Sequence, residues 1–153
     1  MLKFGTGGVP WTSKKRDTIS GINQIDKLGL DLLELEFVQG VRMKEETAQD
    51  LAKSLSLINE KRKLNSIHNL DITIHGPYYI NLASSDERIL KNSHNHILSS
   101  LRIGNIIGAK SVTYHSGFFQ KLSKDQAFEK VKTEMLELRK VMNEEKIIVQ
   151  ISP

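Results

Sequence analysis

Short apolar runs and longer amphipathic segments alternate along this chain four times over, and a fifth apolar run follows the last amphipathic one. The runs are Leu2–Thr6, Leu32–Val38, Asp71–His75, Ser111–His115 and Lys146–Ile151. Between them lie Asp17–Leu28, Met43–Leu64, Asp86–Ile107 and Ser123–Met142. Apolar residues recur there at helical spacing: Ile19, Ile22 and Ile25 in the first, Leu51, Leu55 and Ile58 in the second, Ile89, Ile97, Leu101 and Ile103 in the third. Gly29 and Gly108 stand where helix C-caps belong. Strands that pair in parallel need a long crossover, usually a helix. The alternation therefore predicts a parallel sheet with its helices outside, joined by right-handed crossovers.

How the runs alternate internally decides which parallel architecture this is. In the second run Glu34 and Glu36 share one face of a strand while Leu33, Leu35 and Phe37 share the other. Thr73 and His75 oppose Ile72 and Ile74 in the third, and Thr113 and His115 oppose Val112 and Tyr114 in the fourth. An open doubly wound sheet carries helices on both faces, so its strands read as unbroken apolar runs. One apolar and one polar face instead suit a (β/α) barrel of TIM type, packed on helices outside and polar inside toward its carboxyl mouth. A complete barrel takes about 250 residues. The expectation is an α/β parallel barrel truncated to five strands and four helices, with residues 1–153 as the N-terminal part of a single barrel domain. The fifth run leaves an edge open to pairing. Further strands, self-association of a half-barrel or a partner chain are the candidates to cover it.

Composition narrows the class. A content of 39% hydrophobic and 26% charged residues is that of a globular protein rather than a disordered one. No apolar run approaches the ~18 residues of a membrane span, and the N-terminus lacks a signal-peptide pattern, so no membrane partner is expected. Without cysteine there is no disulfide framework and no thiolate metal site, and any metal must be held by His and carboxylate. These features fit a cytoplasmic protein. The net charge of +4 permits a polyanionic partner such as DNA without demanding one.

The residues suited to chemistry gather where the polar strand faces end. His75-Gly76-Pro77 and His115-Ser116-Gly117 each close a strand. On neighbouring strands of a barrel the two imidazoles stand at the same mouth, placed either to share a metal or to hydrogen-bond within a polar lining. Glu36 is placed to ligate a metal, to orient a histidine or to bind substrate, unless Glu34 and Glu36 pair with an inward cation such as Lys3. Trp11, Tyr78, Tyr79, Phe118 and Phe119 lie in the loops with Lys14, Lys15, Arg16, Arg42 and Lys121. Aromatics among cations suit a nucleic-acid backbone with stacked or displaced bases, although some of these rings, Tyr79 or Phe119 among them, are also candidates to pack under their loops. His68, His94 and His96 read as solvated, the last two about 200° apart on a helix and so no chelate. Lys61-Arg62-Lys63 reads as a solvated helix end. Gly5-Thr6-Gly7-Gly8 lacks the spacing of a phosphate loop.

Two of these stretches carry a resemblance. The run His75-Gly76-Pro77-Tyr78-Tyr79-Ile80-Asn81-Leu82, followed at the next strand end by Tyr114-His115-Ser116-Gly117, resembles the endonuclease IV family of apurinic/apyrimidinic endonucleases, which are xylose isomerase-like TIM barrels. Phe4–Pro10 and Glu34–Val38 resemble archaeal-type members of that group, and the likeness covers essentially the whole chain. The resemblance implies metal-dependent hydrolysis of the DNA phosphodiester 5′ to an abasic site, with zinc as cofactor and abasic DNA as partner. It makes His75 and His115 metal ligands and Tyr78 a residue that contacts DNA. It also makes Asn81 a residue that helps order the Tyr78 loop; Asn81 and Arg42 join Tyr78 as substrate-binding candidates, with Glu36 behind the metal. It also implies a bridging glutamate just beyond Ser152-Pro153 and further ligands on later strands. The expectation is thus an incomplete zinc site and little activity for these residues alone. A divalent-metal sugar isomerase or epimerase of the same superfamily, and a non-catalytic half-barrel interaction module, are the alternatives.

Overall fold

The computed structural model describes residues 2–153. Five strands form one parallel sheet: β1 (Gly5–Gly7), β2 (Leu32–Glu36), β3 (Asp71–His75), β4 (Ser111–Thr113) and β5 (Gln150–Ser152). The crossovers between them are the helices α1 (Thr18–Lys27), α2 (Glu45–Leu64), α3 (Glu87–Ile107) and α4 (Lys124–Glu144). In space the strands run β1-β2-β3-β4-β5, in chain order and without reversal. A doubly wound sheet reverses its order at a switch point. An unreversed run of right-handed crossovers keeps every helix on one face, which makes this an arc of a barrel of five strands and four helices.

The two-faced strands explain why the sheet is covered on one side. Leu33, Leu35, Ile72, Ile74, Val112 and Tyr114 are buried against the helices. They meet Ile22 and Ile25 from α1, Leu51, Leu55 and Ile58 from α2, Ile97 and Leu101 from α3, and Leu138 and Met142 from α4 in one continuous core. Burial pushes the Tyr114 phenol above its ordinary range, and its hydroxyl donates to Met135 Sδ at 2.6 Å under α4. On the opposite face Glu34, Thr73, His75, Thr113 and Ser152 are partly exposed and Glu36 is exposed.

Helix ends fall where capping chemistry puts them. Asp17 accepts from the Ser20 N–H, Asp86 from the Arg88 and Ile89 N–H groups, and Ser123 with Gln126 forms a reciprocal capping box. The fifth strand is shorter than its apolar run. Lys146 adopts φ +56° and Ile147 N–H donates back to Met142 O, so the segment through Val149 serves to close α4 and the ladder begins at Gln150.

Two charged positions differ from expectation. Arg62 is no solvated helix end: its side chain is 3% exposed. It donates to Asp26 and Asp31 and to the carbonyls of Leu30 and His68. It follows Leu51, Leu55 and Ile58 on the buried face of α2, and the five-donor guanidinium satisfies carbonyls and carboxylates where the amino ends of β2 and β3 meet α1. His94 is likewise engaged, its Nε2 2.9 Å from Glu134 Oε2 between α3 and α4. His68 is exposed as expected, and His96 partly so.

Candidate metal and substrate site at the carboxyl ends of the strands

Parallel pairing sets the spacing of the candidate residues before any side chain is considered. Glu36 pairs with His75, and His75 with Thr113, where β4 ends, so His115 stands two residues beyond the strand rather than closing it as the run Ser111–His115 suggested. With alternation, all three side chains point to the concave, uncovered face. The His75 and His115 ring centroids are 5.3 Å apart. Tyr78 closes the group, stacked on His115 at 5.8 Å and edge-on to His75 at 5.4 Å.

The His75 tautomer follows from its neighbour. His75 Nδ1 lies 2.9 Å from Gly76 O. A carbonyl oxygen only accepts, so Nδ1 carries the proton and Nε2 of the neutral ring keeps its lone pair. That is how a ligating histidine is commonly held. The ring spacing also suits a shared metal. Zinc binds an imidazole nitrogen at about 2.0–2.1 Å, which puts it roughly 3.2 Å from the ring centroid, so two tetrahedrally placed rings stand about 5.2 Å apart. The centroid spacing of the two histidines matches that value, and two imidazoles do not complete such a site. Among the described residues no group of three or more His, Cys, Asp or Glu converges closely enough to hold a metal alone.

Glu36 and Glu34 have no ion-pair partner among the described residues. The inward cation Lys3 instead donates to Asp71 at 2.6 Å, at the other end of the sheet. Gly7 and Gly8 make the room for Glu36: a Cβ on either would lie 3.2–3.3 Å from its carboxylate oxygens. Glu36 and Arg42 line one cleft of about 660 Å³ with Gln39 and Lys44, beside the imidazoles rather than between them. Arg42 is exposed and makes one hydrogen bond, to Gln39 Oε1 at 3.3 Å.

Asn81 occupies a different place from Tyr78. It is 6% exposed, and its Oδ1 accepts from the N–H of Ala83 at 3.1 Å and of Phe118 at 3.3 Å. Its backbone N–H donates to Ser93 Oγ, which in turn donates to Ile89 O. Sequence reasoning did not single out Ser93, although a serine on an otherwise apolar helix face is the available signal. The aromatic residues, by contrast, all reach solvent: Trp11, Tyr78, Tyr79, Phe118 and Phe119 are each more than half exposed. Neither Tyr79 nor Phe119 packs under its loop. Trp11 carries the Arg16 guanidinium over its ring at 4.3 Å.

Comparison with known proteins puts this arc in context. The model of the xylose isomerase-like TIM barrel family matches residues 22–153. An uncharacterized protein of Methanocaldococcus jannaschii is 35% identical over 133 residues, 87% of this chain and 43% of the relative. An L-ribulose 3-epimerase structure superposes with TM-score 0.69 at 12% identity, over 99% of this chain and 48% of that one. Endonuclease IV from Thermus thermophilus superposes with TM-score 0.58 at 14% identity, over 86% of this chain and 46% of that one. The chain thus spans about half the length of the proteins it matches, and at these identities the superpositions speak to the fold alone.

Proposed function

This chain belongs to the xylose isomerase-like TIM barrel family, and from that premise we propose that it contributes part of a site for metal-dependent hydrolysis of the DNA phosphodiester 5′ to an abasic site, with little activity by itself. The observation that carries the reading is the convergence of His75, His115 and Tyr78 at 5.3–5.8 Å on the mouth. All three come from the two stretches that resemble endonuclease IV. Zinc, when bound, supplies a water of lowered pKa and charge neutralisation at the phosphate. His75, held by Gly76 O, and His115 would contribute two of its ligands and leave its other positions to further groups. Tyr78 presents an aromatic face beside the metal position, where an extruded sugar or neighbouring base packs. Arg42, Lys14, Lys15 and Lys121 hold the phosphates on either side.

The test pairs metal and DNA binding. Calorimetric titration of Zn²⁺ is expected to give stoichiometric binding to the chain and at least tenfold weaker binding to H75A and H115A. A duplex with one abasic site is expected to bind more tightly than the intact duplex, with affinity falling steeply as salt rises. Salt-independent or absent DNA binding overturns the nuclease reading.

One observation favours the sugar epimerase reading as the alternative. The unpaired Glu36 carboxylate repels a phosphate but accepts hydrogen bonds from hydroxyl groups. Binding of a ketose that is lost in E36Q, without DNA binding, decides for that alternative.

A further inference from the structure

Three bonds join the segment after β3 to the end of β4 and the loop that follows it. Gly76 N–H donates to Thr113 O at 2.7 Å, and Leu82 N–H to Ser116 O at 2.9 Å. The third, Phe118 N–H to Asn81 Oδ1, is made by a side chain and lies within three residues of both His115 and Tyr78. The same oxygen also accepts from Ala83 N–H, so one amide oxygen closes its own turn and reaches across to the neighbouring loop. Gly117 is shaped to this contact. It sits at φ +129°, and a Cβ there would stand 2.1 Å from Asn81 Oδ1 and 2.8 Å from Asn81 Cα. No other residue lets the β4 loop come this close.

We infer that Asn81 is a positioning residue, clasping the two loops so that His115 and Tyr78 are held against His75. The inference rests on the proposed metal reading for its use, and on the hydrogen bonds alone for its geometry. Only the acceptor oxygen of Asn81 enters the clasp, so aspartate can replace it and alanine cannot. Losing that oxygen leaves two loop N–H groups unpaired and loosens the loop beyond β4, which Leu82 N–H then ties through Ser116 O alone, so the His115 ring loses its fixed place beside Tyr78.

The experiment compares wild type, N81A, N81D and G117A by NMR and by Zn²⁺ titration. In N81A the NOEs between the Tyr78 and His115 rings are expected to vanish while those among core residues such as Ile74 and Val112 persist. Exchange of the Phe118 amide rises at least tenfold, and Zn²⁺ affinity falls about tenfold, the size of effect seen when a residue supporting a metal ligand is removed. N81D restores the NOEs and brings Zn²⁺ affinity to within about threefold of wild type, whereas G117A behaves as N81A does. Ring NOEs and Zn²⁺ affinity that survive in N81A overturn the inference, even if the Phe118 amide exchanges faster. Wild-type protein that binds no Zn²⁺ removes the metal reading, and the NOEs then decide on the clasp by themselves.

Discussion

The two ends of the sheet treat charge in opposite ways. At the amino ends of the strands several ionic side chains are paired: Arg62 with Asp26 and Asp31, Lys3 with Asp71, Arg102 with Glu145. At the carboxyl ends Glu36, His75 and His115 face open space, and the loops above them expose large aromatics. In barrels of this type the first end holds the fold and the second does the chemistry. Here the division shows in the pairing alone. Leaving a carboxylate unpaired and an aromatic ring wet forgoes stabilisation, and at the mouth this chain does both.

The comparison predicts unequal losses. R62A strands two carboxylates and two carbonyls around a void and should cost about 3 kcal/mol in urea unfolding, with its midpoint lowered and its slope unchanged. An equal loss from H75A/H115A would erase the distinction between the ends. D17A, which removes the cap of α1, should cost about 1 kcal/mol.

The acid limb gives a smaller effect. The Ser20 N–H, as donor to the carboxylate, holds the Asp17 carboxyl below its usual range, and Arg102 does the same for Glu145. Because both folded values are depressed, this stabilisation is complete above the ordinary carboxylate pKa of about 4 and is lost as pH falls through the lower folded values. D17N keeps an N-cap acceptor but cannot titrate, so its stability should decline less than wild type below about pH 4 while matching it near neutrality. The smallest effect belongs to the mouth: H75A/H115A should change unfolding stability by no more than about 0.5 kcal/mol while removing metal binding.

What the sequence disclosed follows from which forces are local. The third strand, Asp71–His75, and the three side-chain caps stand where the pattern puts them, because alternation and capping act over a few residues. The nearness of His75 to His115 was legible too, since both fall on the polar face where neighbouring strands end, although β4 stops at Thr113. Arg62 was not, because a basic run looks the same whether one member is buried or none. The signal lay in the spacing of Leu51, Leu55, Ile58 and Arg62, which places the arginine on the apolar stripe. His94 found Glu134 forty residues away on another helix, and no local pattern encodes that meeting. Asn81 was legible as a residue that orders its own loop but not as a clasp to the next one, for its partner there is the backbone N–H of Phe118, which has no sequence signature.

Because each strand pairs only with those before and after it in the chain, the sheet can be laid down in the order of synthesis. Every newly emerged β/α unit finds its template already in place, and no strand waits for a distant one to arrive. Loop closure is short at each step, the regime in which chains fold quickly and a ribosome can release structure unit by unit.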